Sequence, residues 1–559
     1  MTRRTQASSF TLGSITLAVS VAVGAVGAVG AGGAVGCGGV TRGAEHGGHP
    51  IASGSASSSA SSDASAAHAG VPTEQPPTSS ASKESPFPKV LRATLANGLS
   101  IAAVEAHALP IVQLRVSIRA GIGYGGVPGA AEITAQLLKD GGTRTMTSAK
   151  LLDKIETLGT SLSVSVDLDG TTLAMGVTKD QLAEGLAILA EIVQTPRFDE
   201  NELKKLKDRE TDDAEESARA DGTWAATRVL FRQLYPASSP YASAELTPPE
   251  IAKITGAVVR DFHKRFYVPK NVEVVVVGDV AAAEATTAVE RGFGAWRGGE
   301  APKVEFPAAQ PLAPPAKAAS AASSRRVIVA HRPKSVQSDV FVVTLAPERS
   351  SAEWPALRVA SQVLGGGPAS RLFSDVREQR SLAYTTRASI LELAHGAQPL
   401  LAYAGTQTPK TGLAVQGLLE NLDKIGSQPI TTPEVESARR LLSDIFAIRM
   451  ETVGSVADML VTQRELGLPD GYWDAYRAEV RGTDAARASA EAAKIFGASG
   501  GAPRSSLVIV SGDADVIAAP LSHFGDVSVV DPEQGFRETR SLPMNAAAPL
   551  EIAAPPAPR

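Results

Sequence analysis

Apolar and polar residues alternate along Val112-Gln113-Leu114-Arg115-Val116-Ser117-Ile118, which predicts a strand with one buried face. Leu162, Val164, Val166 and Leu168 alternate in the same way. Asp169-Gly170 and then Leu173, Met175 and Val177 follow, so this stretch predicts a hairpin. Asn97-Gly98, set between short apolar runs, predicts another tight turn. The period changes at Leu151, Leu152, Ile155 and Leu158, a helix capped by Thr147 or Ser148 and ended by Gly159. Leu182, Leu186, Leu189 and Val193 form a second helical stripe that stops before Pro196. Val272–Val277 is a short, wholly apolar strand that runs into Gly278-Asp279.

That strand has an echo. Leu507-Val508-Ile509-Val510-Ser511-Gly512-Asp513 repeats the apolar run and its Gly-Asp ending 234 residues later, and Asp339–Leu345 answers Val112–Ile118 at a similar offset. Residues 297–325, rich in Pro, Ala and Ser, lie between the repeats and read as a linker. The repeat therefore predicts two α+β halves, residues 88–296 and 326–535, each of ordinary domain size. Residues 536–559 read as a disordered tail and residues 38–87, which are Ser, Ala, Gly, Pro and Thr with few large apolar side chains, as a disordered tether.

Composition narrows the functional classes. A net charge of −5 over 559 residues argues against nucleic acid as a partner. The single cysteine, Cys37, excludes an intrachain disulfide and a thiolate zinc cluster. Arg3 and Arg4 precede an uncharged Ala/Val/Gly stretch over residues 10–36, the arrangement of an export signal. Ala34-Val35-Gly36-Cys37 resembles a lipobox, with Ala34 where Leu is usual. Residues 1–37 are thus expected to be a signal peptide, with Cys37 as a lipidation site that anchors the chain to the bacterial cell envelope, facing the periplasm.

One long segment carries a family resemblance. Gly365-Gly366-Gly367-Pro368-Ala369-Ser370-Arg371-Leu372-Phe373, followed by Val376-Arg377-Glu378-Gln379-Arg380-Ser381-Leu382-Ala383-Tyr384, resembles the C-terminal half of the pitrilysin/insulinase/mitochondrial-processing-peptidase family of zinc peptidases. Active relatives usually have Gly where Ser381 stands. The resemblance extends over most of residues 90–530 and implies two homologous α/β-sandwich halves, each with a mainly antiparallel sheet and helices.

The same resemblance exposes a loss. Active members carry His-x-x-Glu-His in the first half, two zinc-binding imidazoles and a water-activating glutamate, with a third ligand, a Glu, on a later helix. Laid on this chain, the first His falls on Glu132, the base on Ala135 and the second His on Gln136, and the later Glu falls on Glu215 or its neighbour Glu216. Glu132, Gln136 and Glu215 offer oxygens only, which suit a hard cation, weakly, rather than zinc. Ala135 has no proton acceptor. The remaining histidines are scattered singly, so no metal is expected in this chain.

The family's substrate-holding Arg and Tyr are matched by Arg371 and Tyr384, with Gly365, Gly366 and Gly367 allowing close approach of another backbone. A guanidinium fork and a phenol suit a peptide backbone and a developing oxyanion. The resemblance therefore implies a non-catalytic, substrate-binding subunit of a two-chain peptidase, inactive alone. A His-x-x-Glu-His-bearing partner would supply the zinc. The alternative is a scaffold or peptide-binding envelope protein with no peptidase partner.

Overall fold

The structure, a computed structural model, describes residues 86–312, 325–497 and 506–551. The expected signal peptide, Cys37 and nearly all of the tether lie outside the described residues. Six strands form a first sheet: β1 (Leu91–Thr94), β2 (Ser100–Glu105), β3 (Ile111–Ile118), β4 (Ser163–Val166), β5 (Thr171–Thr178) and β6 (Val272–Gly278). Seven form a second: β7 (Arg325–His331), β8 (Gln337–Ala346), β9 (Ala383–Ile390), β10 (Gln398–Gln407), β11 (Leu507–Gly512), β12 (Gly525–Asp531) and β13 (Arg537–Leu542). Their orders are β1-β2-β6-β3-β5-β4 and β13-β12-β7-β11-β8-β10-β9. Both sheets are mixed and mainly antiparallel: β2–β6 in the first and β7–β11 and β7–β12 in the second are the parallel pairs.

The repeat seen in the sequence is the core of each half. β6 and β11 are buried along their whole length and sit between two neighbours, so their apolar runs meet protein on both faces. On one face Val272, Val274 and Val276 join the first half's core, and Val508 and Val510 join the second's. The opposite faces are covered by exchange. Val275 and Val277 pack against Val456, Ala457, Leu460 and Val461 of helix Val453–Glu465, which comes from the second half. Leu507 and Ile509 pack with Ala226, Val229 and Leu230 of helix Gly222–Leu234, which comes from the first. Each half thus lends one helix to the other's sheet.

Gly222 permits the second docking. A Cβ there would strike the Asp339 carboxylate and the Arg332 guanidinium. Arg332 holds the seam by donating to Ala220 O at 3.2 Å, to Ser511 Oγ at 2.9 Å and to Asp339 Oδ2 at 3.4 Å.

Two expected boundaries change. The segment from residue 297 is seated as far as it is described. Phe306 stacks on His395 at 4.0 Å between ring centroids and packs edge-on to Tyr124 at 5.5 Å, and Leu312 is buried. Ordered structure also continues past residue 535. β13 pairs antiparallel with β12, and Ala548 is buried. Arg537–Leu542 escapes a hydrophobic reading because it is a mostly exposed edge strand held by backbone hydrogen bonds and lined with charges that discourage further pairing.

Candidate functional site

Glu132, Thr134, Ala135 and Gln136 lie on helix Ala130–Asp140, which begins at Gly129 in the left-handed conformation, φ 82°. Ala135 is fully buried, so the position of the base is packed with a methyl group. Glu132 is enclosed, and its Oε2 has no hydrogen-bond partner. Desolvation pushes its carboxyl up to about 7, with Glu210 and Glu250 nearby adding like charge.

The partner of Glu132 on the long helix Glu200–Ala220 is Glu210, not Glu215. Glu215 and Glu216 face solvent, whereas Glu210 turns inward with Oε1 unpaired, and burial raises its pKa. Mixed charge along this helix hides that choice from the sequence. The buried positions Leu203, Leu206, Ala214 and Ala218 fix the inner face, and Glu210 lies one turn from Leu206.

The surrounding charges complete an acidic site with one buried cation, Arg228. Glu245, at φ 62°, is pushed up to about 8 by burial and by Asp221 and Glu132. Arg228 donates to the carbonyl of Ala244 at 2.9 Å and to Glu250 Oε1 at 2.5 Å, while Glu250 Oε2 accepts from Thr247 N at 2.9 Å. Zinc does not fit these residues. The donors are carboxylates and an amide, two of the carboxylates are orphaned inside protein, and among the described residues the carboxylates do not bring three ligand atoms within 4.8 Å of one another.

In the second half, the arginine expected to hold substrate is engaged within the fold. Arg371 donates to Glu434 from Nε at 2.7 Å and from Nη2 at 3.0 Å, and to Pro429 O at 3.4 Å. Glu434 closes the capping box of helix Thr432–Arg449. Arg371 therefore fastens that helix. Arg377, seven residues before Tyr384, is another guanidinium of the matching segment. It is exposed, lies over the Phe373 ring at 4.5 Å, and has neither an ion pair nor a hydrogen bond among the described residues. Tyr384 is 52% exposed and donates to Gln337 Oε1 at 3.1 Å.

Gly365 serves the fold. A Cβ on Gly365 would collide with the backbone of Ala388, so this glycine lets helix Trp354–Gly365 lie on β9, and a Cβ on Gly366 would strike Gln362. Ser381 sits at φ 50°, the left-handed conformation glycine adopts without steric cost.

A line of neighbouring charges joins the two regions. Glu132 acts on Glu245, which feels Asp221; Asp221 acts on Asp339; and Asp339 accepts from the Tyr403 hydroxyl at 2.8 Å. Tyr403 feels Tyr384, and Arg387 covers its ring at 3.9 Å. Electrostatic neighbours thus run from the degenerate site to Tyr384 along the seam between the halves.

Two family domains match in succession. Residues 101–236 match the insulinase (peptidase family M16) model and residues 253–442 the peptidase M16 inactive domain. The chain belongs to the M16 peptidase family. Among M16 relatives, it is 27% identical over 376 residues to an uncharacterized zinc protease of Mycobacterium leprae, covering 66% of this chain and 80% of that one. It is 26% identical to the non-peptidase homolog YmxG of Helicobacter pylori, covering 65% and 82%. Its M16 fold is shared with the peptidase M16 inactive domain from Pseudomonas fluorescens, at a TM-score of 0.68 and 22% identity over 76% of this chain and 98% of that one.

One further cluster was not visible in the sequence. His331, Asp513 and Asp515 gather ligand atoms within 4.8 Å. They are already engaged: His331 Nδ1 accepts from Ala514 N, Asp513 caps helix Ala514–Leu521, and Asp515 pairs with Arg540 at 2.9 Å.

Proposed function

We propose that this M16 chain is the non-catalytic, substrate-binding subunit of a two-chain zinc peptidase that acts on peptides in the bacterial cell envelope. The observation that carries the reading is the contrast between the two ends of the seam. At one end the base position is a buried Ala135 and the ligand positions hold oxygens; at the other stands an exposed Tyr384, whose hydroxyl donates to Gln337, and the same matching segment carries Arg377, which has no ion pair among the described residues. Donors of this kind can hold a peptide backbone and stabilise an oxyanion formed at a partner's metal. The partner would carry His-x-x-Glu-His and the zinc. The charge-free stretch that ends at Cys37 supports a lipid anchor facing the periplasm.

The engagement of Arg371 inside its own half favours a second reading, a scaffold or peptide-binding protein with no peptidase partner. One experiment separates the two. The tagged full-length chain is used to capture its partner from the native host, and the pair is then reconstituted and assayed. A stoichiometric His-x-x-Glu-His protein whose chelator-sensitive turnover needs this chain supports the two-chain peptidase. Full turnover by that partner alone, or no such partner, supports the scaffold.

A further inference from the structure

Residues 297–312, which follow the last helix of the first half, Ala282–Phe293, form neither helix nor strand. The run is fixed at its two ends. Trp296 N donates to Phe293 O at 3.0 Å, and Gln310 N donates to Leu234 O at 2.6 Å. Between these points no backbone group of residues 298–309 has a hydrogen bond among the described residues. Pro302 and Pro307 lack the N–H that a helix or ladder would use, and their fixed φ keeps the chain extended. Lys270 pairs with Glu300 near the first end, whereas Lys303 pairs with Glu305 of the same segment. Side chains alone therefore hold the middle of the segment to the fold.

The main anchor is Phe306. Its ring lies 4.0 Å from His395, 5.1 Å from Tyr241 and 5.5 Å from Tyr124, centroid to centroid. Val304 and Ala309 add partly buried contacts. Tyr124 and Tyr241 belong to the first half and His395 to the loop between β9 and β10, so Phe306 touches both halves. These rings do not depend on Phe306 for their places. Tyr124 packs edge-on to Phe266 at 6.0 Å, and Tyr241 to Tyr235 at 5.2 Å. The Tyr241 hydroxyl donates to Asp169 Oδ1 at 2.6 Å and accepts from His395 N at 3.2 Å, and Asp169 Oδ2 accepts from Ala394 N at 2.8 Å. A braced aromatic cradle is thus filled by a side chain whose own segment has few ties.

We propose that residues 298–309 are a releasable strap, and that the cradle beneath it takes an aromatic side chain of an extended, proline-containing peptide segment, with Phe306-Pro307 as its occupant in cis. Segments with few buried contacts and no hydrogen-bonded backbone open locally, well below the cost of global unfolding. A ligand of the same chemistry must compete with a tethered ring whose effective concentration is about millimolar. The strap is therefore an autoinhibitory contact that sets a threshold for binding. It acts in this way whether or not the chain has a peptidase partner.

Limited trypsin digestion of the full-length chain, followed by mass spectrometry, reads the strap through cleavage after the exposed Lys303. Cleavage of a segment that opens locally tracks its open population. The expected result is cleavage with little dependence on urea below the unfolding transition, and about tenfold or more faster in Phe306→Ala. Cleavage that rises with urea in step with global unfolding overturns the strap. Saturation-transfer NMR reads the cradle, with the peptide Val-Glu-Phe-Pro-Ala at about 1 mM, matched to the effective concentration of the tethered ring. Transfer to the peptide's Phe ring is expected with Phe306→Ala and is expected to be far weaker with the unchanged chain. Equal transfer from both, or none from either, overturns the cradle. Melting curves check folding, and the urea dependence of cleavage in the unchanged chain keeps the proposal falsifiable if Phe306→Ala fails to fold.

Discussion

Arg371 and Glu434 form a two-point ion pair, with Nε–Oε1 at 2.7 Å and Nη2–Oε2 at 3.0 Å. The same carboxylate accepts from the Thr431 backbone and hydroxyl at 2.8 Å each. Arg371 thus secures the start of a helix, whereas Arg377, six residues further on, lies over the Phe373 ring with no ion pair among the described residues.

The two arginines are therefore expected to separate in mutagenesis. Arg371→Ala leaves Glu434 with half its donors and is expected to lower stability by about 1–3 kcal/mol, read from urea unfolding. Arg377→Ala should leave the unfolding midpoint unchanged within error and lower turnover of the assembled pair at least tenfold. Turnover unaffected by Arg377→Ala would remove that residue from the substrate-holding role.

The charge state of Glu132 makes stability depend on pH. Its folded pKa, about 7, lies above the ordinary carboxylate value, so the native state holds a proton that the unfolded chain releases. Its contribution is whole below about pH 4.5 and is lost as pH rises through 7. Glu132→Gln should flatten that slope and recover about 3 kcal/mol at pH 8, an order-of-magnitude figure. Urea midpoints at pH 5 and pH 8 for both proteins test this; parallel pH dependence would contradict it.

Glu434 behaves in the opposite sense. Arg371 and the Thr431 donors hold its carboxyl at about 2, so its contribution is present above the ordinary carboxylate range and is lost as pH falls toward 2. Glu434→Gln should make the melting temperature less sensitive to acid between pH 4.5 and pH 2.5.

Ser381→Gly is expected to stabilise the chain by about 1 kcal/mol, because a left-handed φ of 50° costs serine what glycine escapes. Thermal unfolding reads the gain, and a lower melting temperature would show that the serine side chain contributes more than its backbone strain costs.

Zinc should not bind at the degenerate site. Carboxylates that fail to converge give no tight site there, so any change in melting temperature on adding zinc to about 100 µM is expected to be the same with and without Glu132→Gln, whereas an ion held by Glu132 would raise it only in the unchanged chain. A shift abolished by Glu132→Gln would reverse this view of the site.

The strands with a clear period were legible in the sequence. Val112–Ile118 is β3, the Leu162–Val177 pattern is the β4–β5 hairpin, and the repeated Gly-Asp endings mark β6 and β11, because burial on fixed faces imposes period and composition. Thr147 caps its helix, and Gly98 turns at φ 89° as the Asn-Gly pair predicts. What escaped depended on packing between distant segments. Glu210 rather than Glu215 faces Glu132 because of how one long charged helix is rotated. Arg371 is committed through Glu434, 63 residues away.

The reciprocal loan of helices Gly222–Leu234 and Val453–Glu465 has a consequence for unfolding. Neither sheet has both faces covered by its own half, so losing one half strips an apolar face from the other. Two cores of domain size should therefore melt in a single cooperative transition, and a truncation in either half should be felt as a defect of the whole chain.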